Sequence, residues 1–330
     1  MSTPHLTDPY RRHLNYLRIS VTDRCNLKCA YCVPRELIPK LLHRDILRYE
    51  ELLRIVRIGV SLGITKVRVT GGEPLVRKGV SDFLAELTAI DALTDVSLTT
   101  NGVLLGQYLD RLRQAGIRRI NVSLDTLKRR KFEQITGVDA FETVFAGILA
   151  ALEAGFSPVK INAVALRGIN EDELVDLARL SIDYPLQVRF IEHMPIGNAM
   201  AGAQPPLLAP EIRERIRPLG ELTPVKSGGG DGPAERYRLP EAAGEIGLIR
   251  PLSHHFCSHC NRLRLTASGM LRPCLLSDYE EDLRTPLRKG LLDEDLKSVF
   301  LRAVSRKPRQ HALAEAQCQQ VSGQMCAIGG

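Results

Sequence analysis

The stretch YLRISVTDRCNLKCAYC, Tyr16 to Cys32, holds a short β-rich run followed at once by three cysteines. The run Tyr16–Val21 reads as a strand, and Cys25, Cys29 and Cys32 follow it with the spacing C-x3-C-x2-C. A structural zinc site normally closes with four ligands, often from two C-x2-C pairs. No fourth ligand lies nearby. Three thiolates can instead hold a four-iron, four-sulfur cluster with one iron left open, since four would close it. Three buried or zinc-bound cysteines are the plainer alternative.

Outward from this stretch, strand and helix patterns alternate. Strands are expected at Tyr16–Val21, Lys66–Thr70, Asp95–Thr100, Arg118–Leu124, Val159–Leu166 and Leu186–Glu192. Between them lie amphipathic stretches such as YEELLRIVRIGVSLG, which ends on Gly63. Six strands separated by helices imply parallel βαβ units with right-handed crossovers, in a doubly wound sheet or a barrel. The unusual residues fall at the C-terminal ends of successive strands, which favours a barrel. The expected fold is therefore α/β: an incomplete (β/α)6 TIM-type barrel, with a C-terminal α+β extension closing its open side. Proline- and glycine-rich stretches after Met200 place the boundary between residues 1–215, with the first cysteines, and 216–330, with the others.

The chain has 330 residues, 44% hydrophobic and 25% charged, enough for a barrel-sized domain plus a smaller region. No apolar run approaches a bilayer span, and the first residues show no secretory signal, so a cytoplasmic location is expected. Eight clustered cysteines then suggest thiols or metal ligands rather than disulfides. Forty-five Lys and Arg against 38 Asp and Glu give a charge of +7, which suits an anionic partner. Aromatics are only 5% and Trp is absent, so base-stacking platforms are not advertised. There is no GxxxxGK[ST] P-loop.

Other strand ends carry polar groups: RVTGGEP (Arg68–Pro74), LTTNG with Thr99 and Asn101, NVSLD with Ser123 and Asp125, and EHMP with Met194. Gly71 and Gly72 would let backbone approach a ligand closely, and Glu73 could pair with an ammonium. Singly, each is an ordinary turn residue or helix cap. A second trio, Cys257, Cys260 and Cys274, has the spacing C-x2-C-x13-C. His255 and His259 are close enough in sequence for a zinc knuckle to stand as the alternative.

C-x3-C-x2-C with Tyr31 before its third cysteine resembles the radical S-adenosylmethionine enzymes, as does GGEP one βα unit later. The resemblance implies that the open iron chelates S-adenosylmethionine, and that the reduced cluster splits it to methionine and a 5′-deoxyadenosyl radical. Tyr31, Gly72, Glu73, Ser123 and Met194 would then contact this cofactor. CNRLRLTASGMLRPCLL (Cys260–Leu276) resembles one branch, the GTP 3′,8-cyclases that open molybdenum cofactor synthesis. In that branch a second [4Fe-4S] cluster with an open iron binds the substrate's guanine. The missing ligand of each trio would thus be a small molecule. The radical would take the 3′ hydrogen of GTP, and the resulting carbon radical would attack C8. Reduction and protonation would leave 3′,8-cyclo-7,8-dihydro-GTP.

Alternate strand residues share a face, so Lys66 and Arg68, Lys160 and Asn162, Gln187 and Arg189, and Arg262 and Arg264 pair by phase. Inward-facing cations without acids would be expensive unless a triphosphate offsets them. The resemblance carries Arg18, Arg68, Lys160, Arg262 and Arg264 onto GTP contacts; strand phase adds Lys66 and Arg189, and the rim adds Thr99. The family typically ends in a glycine pair reaching the active site, so Gly329 and Gly330 join Arg18, Arg262 and Arg264 as catalytic candidates. Ala30 and Val33 depart from residues usual in the cyclases, without touching a ligand. The implied partners are GTP, an electron donor and, downstream, cyclic pyranopterin monophosphate synthase, with a homodimer as the admissible oligomer and no nucleic acid or membrane. Two rivals stay open: a radical enzyme acting on peptide or RNA, and a zinc module binding nucleic acid.

Overall fold

The computed structural model describes residues 5–32, 40–196, 204–226, 232–311, 321 and 325–328. All six expected strands form: β1 (Tyr16–Ser20), β2 (Lys66–Thr70), β3 (Asp95–Thr100), β4 (Arg119–Ser123), β5 (Val159–Ala165) and β6 (Leu186–Glu192). Helices α1 (Tyr49–Ser61), α2 (Val80–Thr88), α3 (Leu105–Gln114), α4 (Arg129–Thr136), α5 (Phe141–Glu153) and α6 (Leu174–Asp183) connect them. In α1, Glu51 accepts a hydrogen bond from the Arg48 N–H at 2.7 Å, and Leu52, Leu53, Ile55, Val56 and Ile58 are buried. The helix stops before Gly63, whose φ of 98° is cheap only without a Cβ.

Every neighbouring pair from β1 to β6 is parallel and in sequence order. Two further parallel strands come from the C-terminal region. β9 (Glu245–Ile249) pairs with β6, and β10 (Arg262–Leu265) with β1. The six-stranded expectation thus becomes eight parallel strands, in the order β10-β1-β2-β3-β4-β5-β6-β9. These two runs have four or five residues and pair with strands 58 and 246 residues away (Gln187 with Glu245, Tyr16 with Arg262), so local periodicity does not reveal them. Antiparallel strands β7 (Thr223–Pro224) and β8 (Glu235–Arg238) extend one edge; β11 (Met270–Arg272) and β12 (Glu281–Asp282) extend the other. A continuous sheet therefore joins residues on both sides of the 215/216 boundary.

Alternation sorts the strand residues. Leu17, Ile19, Val67, Val69, Leu98, Ile120, Val122, Ile161, Val188 and Phe190 are fully buried in the main core, among the buried apolar faces of the helices. Each contributes about 1.5–3 kcal/mol by its burial. Their polar neighbours take the opposite face. Arg18 is level with Arg264 and Arg68, and Asn162 is level with Ser123 and Arg189. Beyond β6, α7 (Ala209–Ile216), α8 (Arg284–Arg288), α9 (Asp293–Ser305) and α10 (Met325–Ile328) complete the helices. A small separate cluster joins Ile196, Leu276, Val321 and Ile328, with Met194, Cys274 and Met325 packed on it. Among the described residues no single helix is long and apolar enough to cross a membrane.

Candidate active site

At least one residue from each parallel strand lines a common cavity of about 270 Å³, among them Arg18, Arg68, Thr99, Ser123, Asn162, Arg189, Ile249 and Arg264. The sheet is therefore curled, with its polar face inward. Arg262, Tyr31, Met194 and all three of Cys257, Cys260 and Cys274 share that cavity. Lys66 and Lys160 do not line it. Lys66 stands at the start of β2, level with Tyr16 and Asp95, and Lys160 is buried one layer below Asn162.

The cavity concentrates positive charge. Burial, with Arg264, Arg68 and Arg262 nearby, pulls Arg18 far down from the ordinary arginine range. Burial and Arg262 bring Arg264 to about 10. Arg68 donates to Ser97 Oγ at 3.2 Å and stands 5.6 Å from the Tyr16 ring centroid; Arg262 stands 4.6 Å over Phe256. Arg189 donates to Gln187 at 2.7 Å, and Gln187 donates to Glu245 at 2.8 Å. Arg189 thus combines a cavity face with a structural hydrogen bond. Clustered guanidiniums repel unless an anion lies among them.

Unmet polar atoms point to the same need. Tyr16 Oη, Thr99 Oγ1, Asn162 Oδ1 and the Nδ1 atoms of His255 and His311 are buried without a hydrogen-bond partner among the described residues. All five residues line the cavity. A polar ligand would satisfy them at little further desolvation cost.

The first trio lies in the loop after β1. The Lys28 and Ala30 N–H groups donate to Thr136 and Ile135 at 2.8 and 2.9 Å, and Cys32 N–H donates to Cys29 O at 2.9 Å. Leu27 N–H and Asn101 Nδ2 donate to Cys25 Sγ at 3.4 and 3.6 Å. Such N–H···S contacts suit an iron–sulfur cluster ligand. Burial, with Asp125 and Cys25 nearby, pushes the Cys29 thiol up, so a bound metal would have to hold it as thiolate. A small cavity beside Cys29 shares Tyr31, Ser123 and Asp125 with the large one, joining the first trio to it. Tyr31 donates to Asp125 at 2.6 Å, and burial pushes Asp125 up to about 6.

The glycine-rich loop does more packing than the sequence suggests. A Cβ on Gly72 would lie 2.4 Å from Arg24 O, and one on Gly71 would lie 2.8 Å from Thr22 O. Gly72 and Glu73 N–H donate to Thr22 and Arg24 carbonyls at 2.6 and 2.8 Å, so these glycines let the second loop dock against the first. Glu73 is fully buried and outside both cavities. Its carboxylate accepts from Leu75 N–H at 3.0 Å, Thr100 Oγ1 at 2.8 Å and Asn101 N–H at 2.6 Å. Burial outweighs these bonds and pushes it up to about 7.

At the second trio, burial alone would raise Cys260; Arg262 and Lys307 reverse that and bring it to about 6, favouring the ligand form. Among the described residues no three His, Cys, Asp or Glu side chains are placed to hold a single metal ion. The sulfurs around a cubic cluster stand farther apart than those around one zinc, where each bond is about 2.3 Å. His259 pairs with Ser258 at 2.9 Å, and the His255 ring packs on His311. Met325 lines the cavity and Ile328 is buried; Gly329 and Gly330 lie outside the described residues. Tyr16 and Asn162 are cavity residues that strand phase could have singled out. Lys307, within the irregular SRKPRQH, gives no such signal.

A curled parallel sheet with a cysteine trio after its first strand defines a radical S-adenosylmethionine enzyme, and residues 19–181 match the Radical SAM superfamily. Residues 186–313 match Molybdenum Cofactor Synthesis C. The chain is 48% identical to the GTP 3′,8-cyclase of Moorella thermoacetica, covering 98% of this chain and 100% of that one. It is 47% identical to the enzyme of that name from Pelotomaculum thermopropionicum, again covering 98% and 100%. The chain belongs to the GTP 3′,8-cyclase family. Streptococcus suis SuiB bound to S-adenosylmethionine shares the fold, with a TM-score of 0.62 at 15% identity over 88% of this chain and 69% of that one.

Proposed function

We propose that the chain converts GTP to 3′,8-cyclo-7,8-dihydro-GTP, opening molybdenum cofactor synthesis, with S-adenosylmethionine and two [4Fe-4S] clusters. The carrying observation is that Arg18, Arg68, Arg262, Arg264 and the second cysteine trio share one cavity inside a family member's barrel. Cys25, Cys29 and Cys32 would hold one cluster and Cys257, Cys260 and Cys274 the other. When bound, the first cluster and S-adenosylmethionine supply one-electron chemistry able to remove a hydrogen from an unactivated carbon.

The chain's own residues bind and orient. The four arginines neutralise the triphosphate, and their fixed geometry sets where the ribose lies. Arg18, Arg262 and Arg264 act on the reacting nucleotide, while Thr99 and Arg189 lend further polar contacts. Lys66 and Lys160 complete the positive field from below. Tyr31, Ser123 and Met194 bound the S-adenosylmethionine side, Gly72 shapes its loop, and Glu73 acts through that loop and Asn101. Gly329 and Gly330, outside the described residues, would take the catalytic role that the family resemblance implies. Balance requires two electrons and a proton: one electron starts hydrogen removal, and the other completes reduction after C3′ bonds to C8. An external electron donor supplies both, and cyclic pyranopterin monophosphate synthase would consume the product. Residues 1–215 serve as the partial barrel with the first cluster and 216–330 as the region with the second cluster, in a cytoplasmic protein able to form a homodimer.

Anaerobically reconstituted protein, given S-adenosylmethionine and reductant, should release 5′-deoxyadenosine when GTP is added and form a chromatographically distinct isomer of GTP. Release indifferent to GTP would overturn the substrate.

A further inference from the structure

Lys307, just past the end of α9, is only 3% exposed. Its ammonium donates to Arg262 O at 2.9 Å and to Pro273 O. Arg262 lies two residues after Cys260, and Pro273 immediately precedes Cys274. Among the described residues no carboxylate pairs with it, and burying an ammonium unpaired is costly. The Cys260 and Cys274 side chains lie within its field. Burial pulls Lys307 down; those two thiols hold it up, against Arg12 and Arg262.

The surrounding stretch grips the third ligand too. Arg12, paired with Asp8, donates to Cys257 O at 2.7 Å, Pro308 O at 2.7 Å and Arg309 O at 3.2 Å. Residues 307–311 thus form a clasp behind all three cysteines. Arg12 is neutralised by Asp8 and Arg309 is exposed, so Lys307 is the clasp's buried cation with no carboxylate partner among the described residues.

We propose that Lys307 is a positioning residue of the second cysteine trio: it pins the segments carrying Cys260 and Cys274 and sets a fixed positive charge beside their sulfurs. This rests on the reading that the trio holds an iron–sulfur cluster. Cluster potentials respond to nearby charge and to hydrogen bonding around the sulfurs, and a fixed cation favours the reduced, more negative form. Lys307 therefore raises the potential of the second cluster.

The test uses the full chain with Cys25, Cys29 and Cys32 replaced by Ala, reconstituted anaerobically so that one cluster remains. A redox titration followed by electron paramagnetic resonance reads its potential, alongside iron content. Failure of this parent to bind about four irons would overturn the second-cluster reading itself. With iron bound, Lys307→Met should shift the potential down or lose iron, and Lys307→Arg should restore both. Lys307→Gln, which keeps an amide donor but no charge, should also titrate lower, and it decides the matter if Lys307→Met does not fold. Neutral variants that keep the parent's potential and iron would overturn the role of Lys307.

Discussion

Arg18 on β1 and Arg264 on β10 are level with each other on adjacent parallel strands, and both face the same cavity. They come from opposite parts of the chain, and the Arg264 charge helps pull Arg18 down. Without an anion between them, the two like charges repel each other. Function accounts for a charge arrangement that stability alone would not retain.

Arg264→Leu should therefore separate binding from stability. It should cost about 1.5–3 kcal/mol of GTP affinity, the range for charge-assisted bonds, or roughly ten- to hundred-fold. Unfolding stability without GTP should change less than GTP binding does, and the gain in melting temperature on adding GTP should shrink. Calorimetric GTP binding and thermal unfolding on the same samples check both.

Thr99 makes the same point with a neutral group. Its hydroxyl is buried without a partner among the described residues, so Thr99→Val removes an unmet atom and should stabilise the ligand-free protein by about 1 kcal/mol. Binding of a polar ligand should weaken. A urea unfolding series and a binding isotherm would reveal a hydroxyl already satisfied, by leaving stability lower instead.

Gly72→Ala should disrupt the docking of the first two loops, because its Cβ would press on backbone that cannot move aside. Overpacking of this kind costs about 1–3 kcal/mol or more. The first cysteine loop should then lose its metal while the second keeps it, halving the iron per chain. Full iron content with normal stability would contradict the packing role.

Glu73 gives a pH dependence of definite sign. Its folded value is raised from 4.5 to about 7, so the native state binds more protons than the unfolded chain between those values. Its contribution is complete below pH 4.5 and is lost as pH rises through 7, on the order of 3 kcal/mol. Glu73→Gln should lower stability at pH 5 by losing a hydrogen bond, yet show a flatter profile from pH 4.5 to 7. Urea unfolding across that range measures the difference between the two proteins.

Much of this was legible in the chain. β2, β3 and β6 have the boundaries read from their alternation, because one face meets helices and the other a polar interior. Both cysteine trios were visible from spacing, and Arg68, from the resemblance, and Arg189, from strand phase, line the cavity. Phase could not say how deep a side chain lies, so Lys66 and Lys160 were grouped with residues that sit higher in the barrel. The pairing of β9 and β10 with β6 and β1 depends on contacts distant in sequence. A motif does not show that Leu75 in the same loop, with Thr100 and Asn101 at the end of β3, donates to the Glu73 carboxylate. Lys307 was silent for a similar reason: its partners are backbone carbonyls, which any sequence could supply.

The central claim is that this cavity holds GTP with its ribose at the radical chemistry. GTP carrying deuterium at C3′, incubated anaerobically with reconstituted protein, S-adenosylmethionine and reductant, tests it most directly by mass analysis of the 5′-deoxyadenosine formed. Deuterium in that product, alongside a cyclised isomer of GTP that has lost it, is the predicted result. Unlabelled 5′-deoxyadenosine formed with deuterium retained in the nucleotide would contradict it.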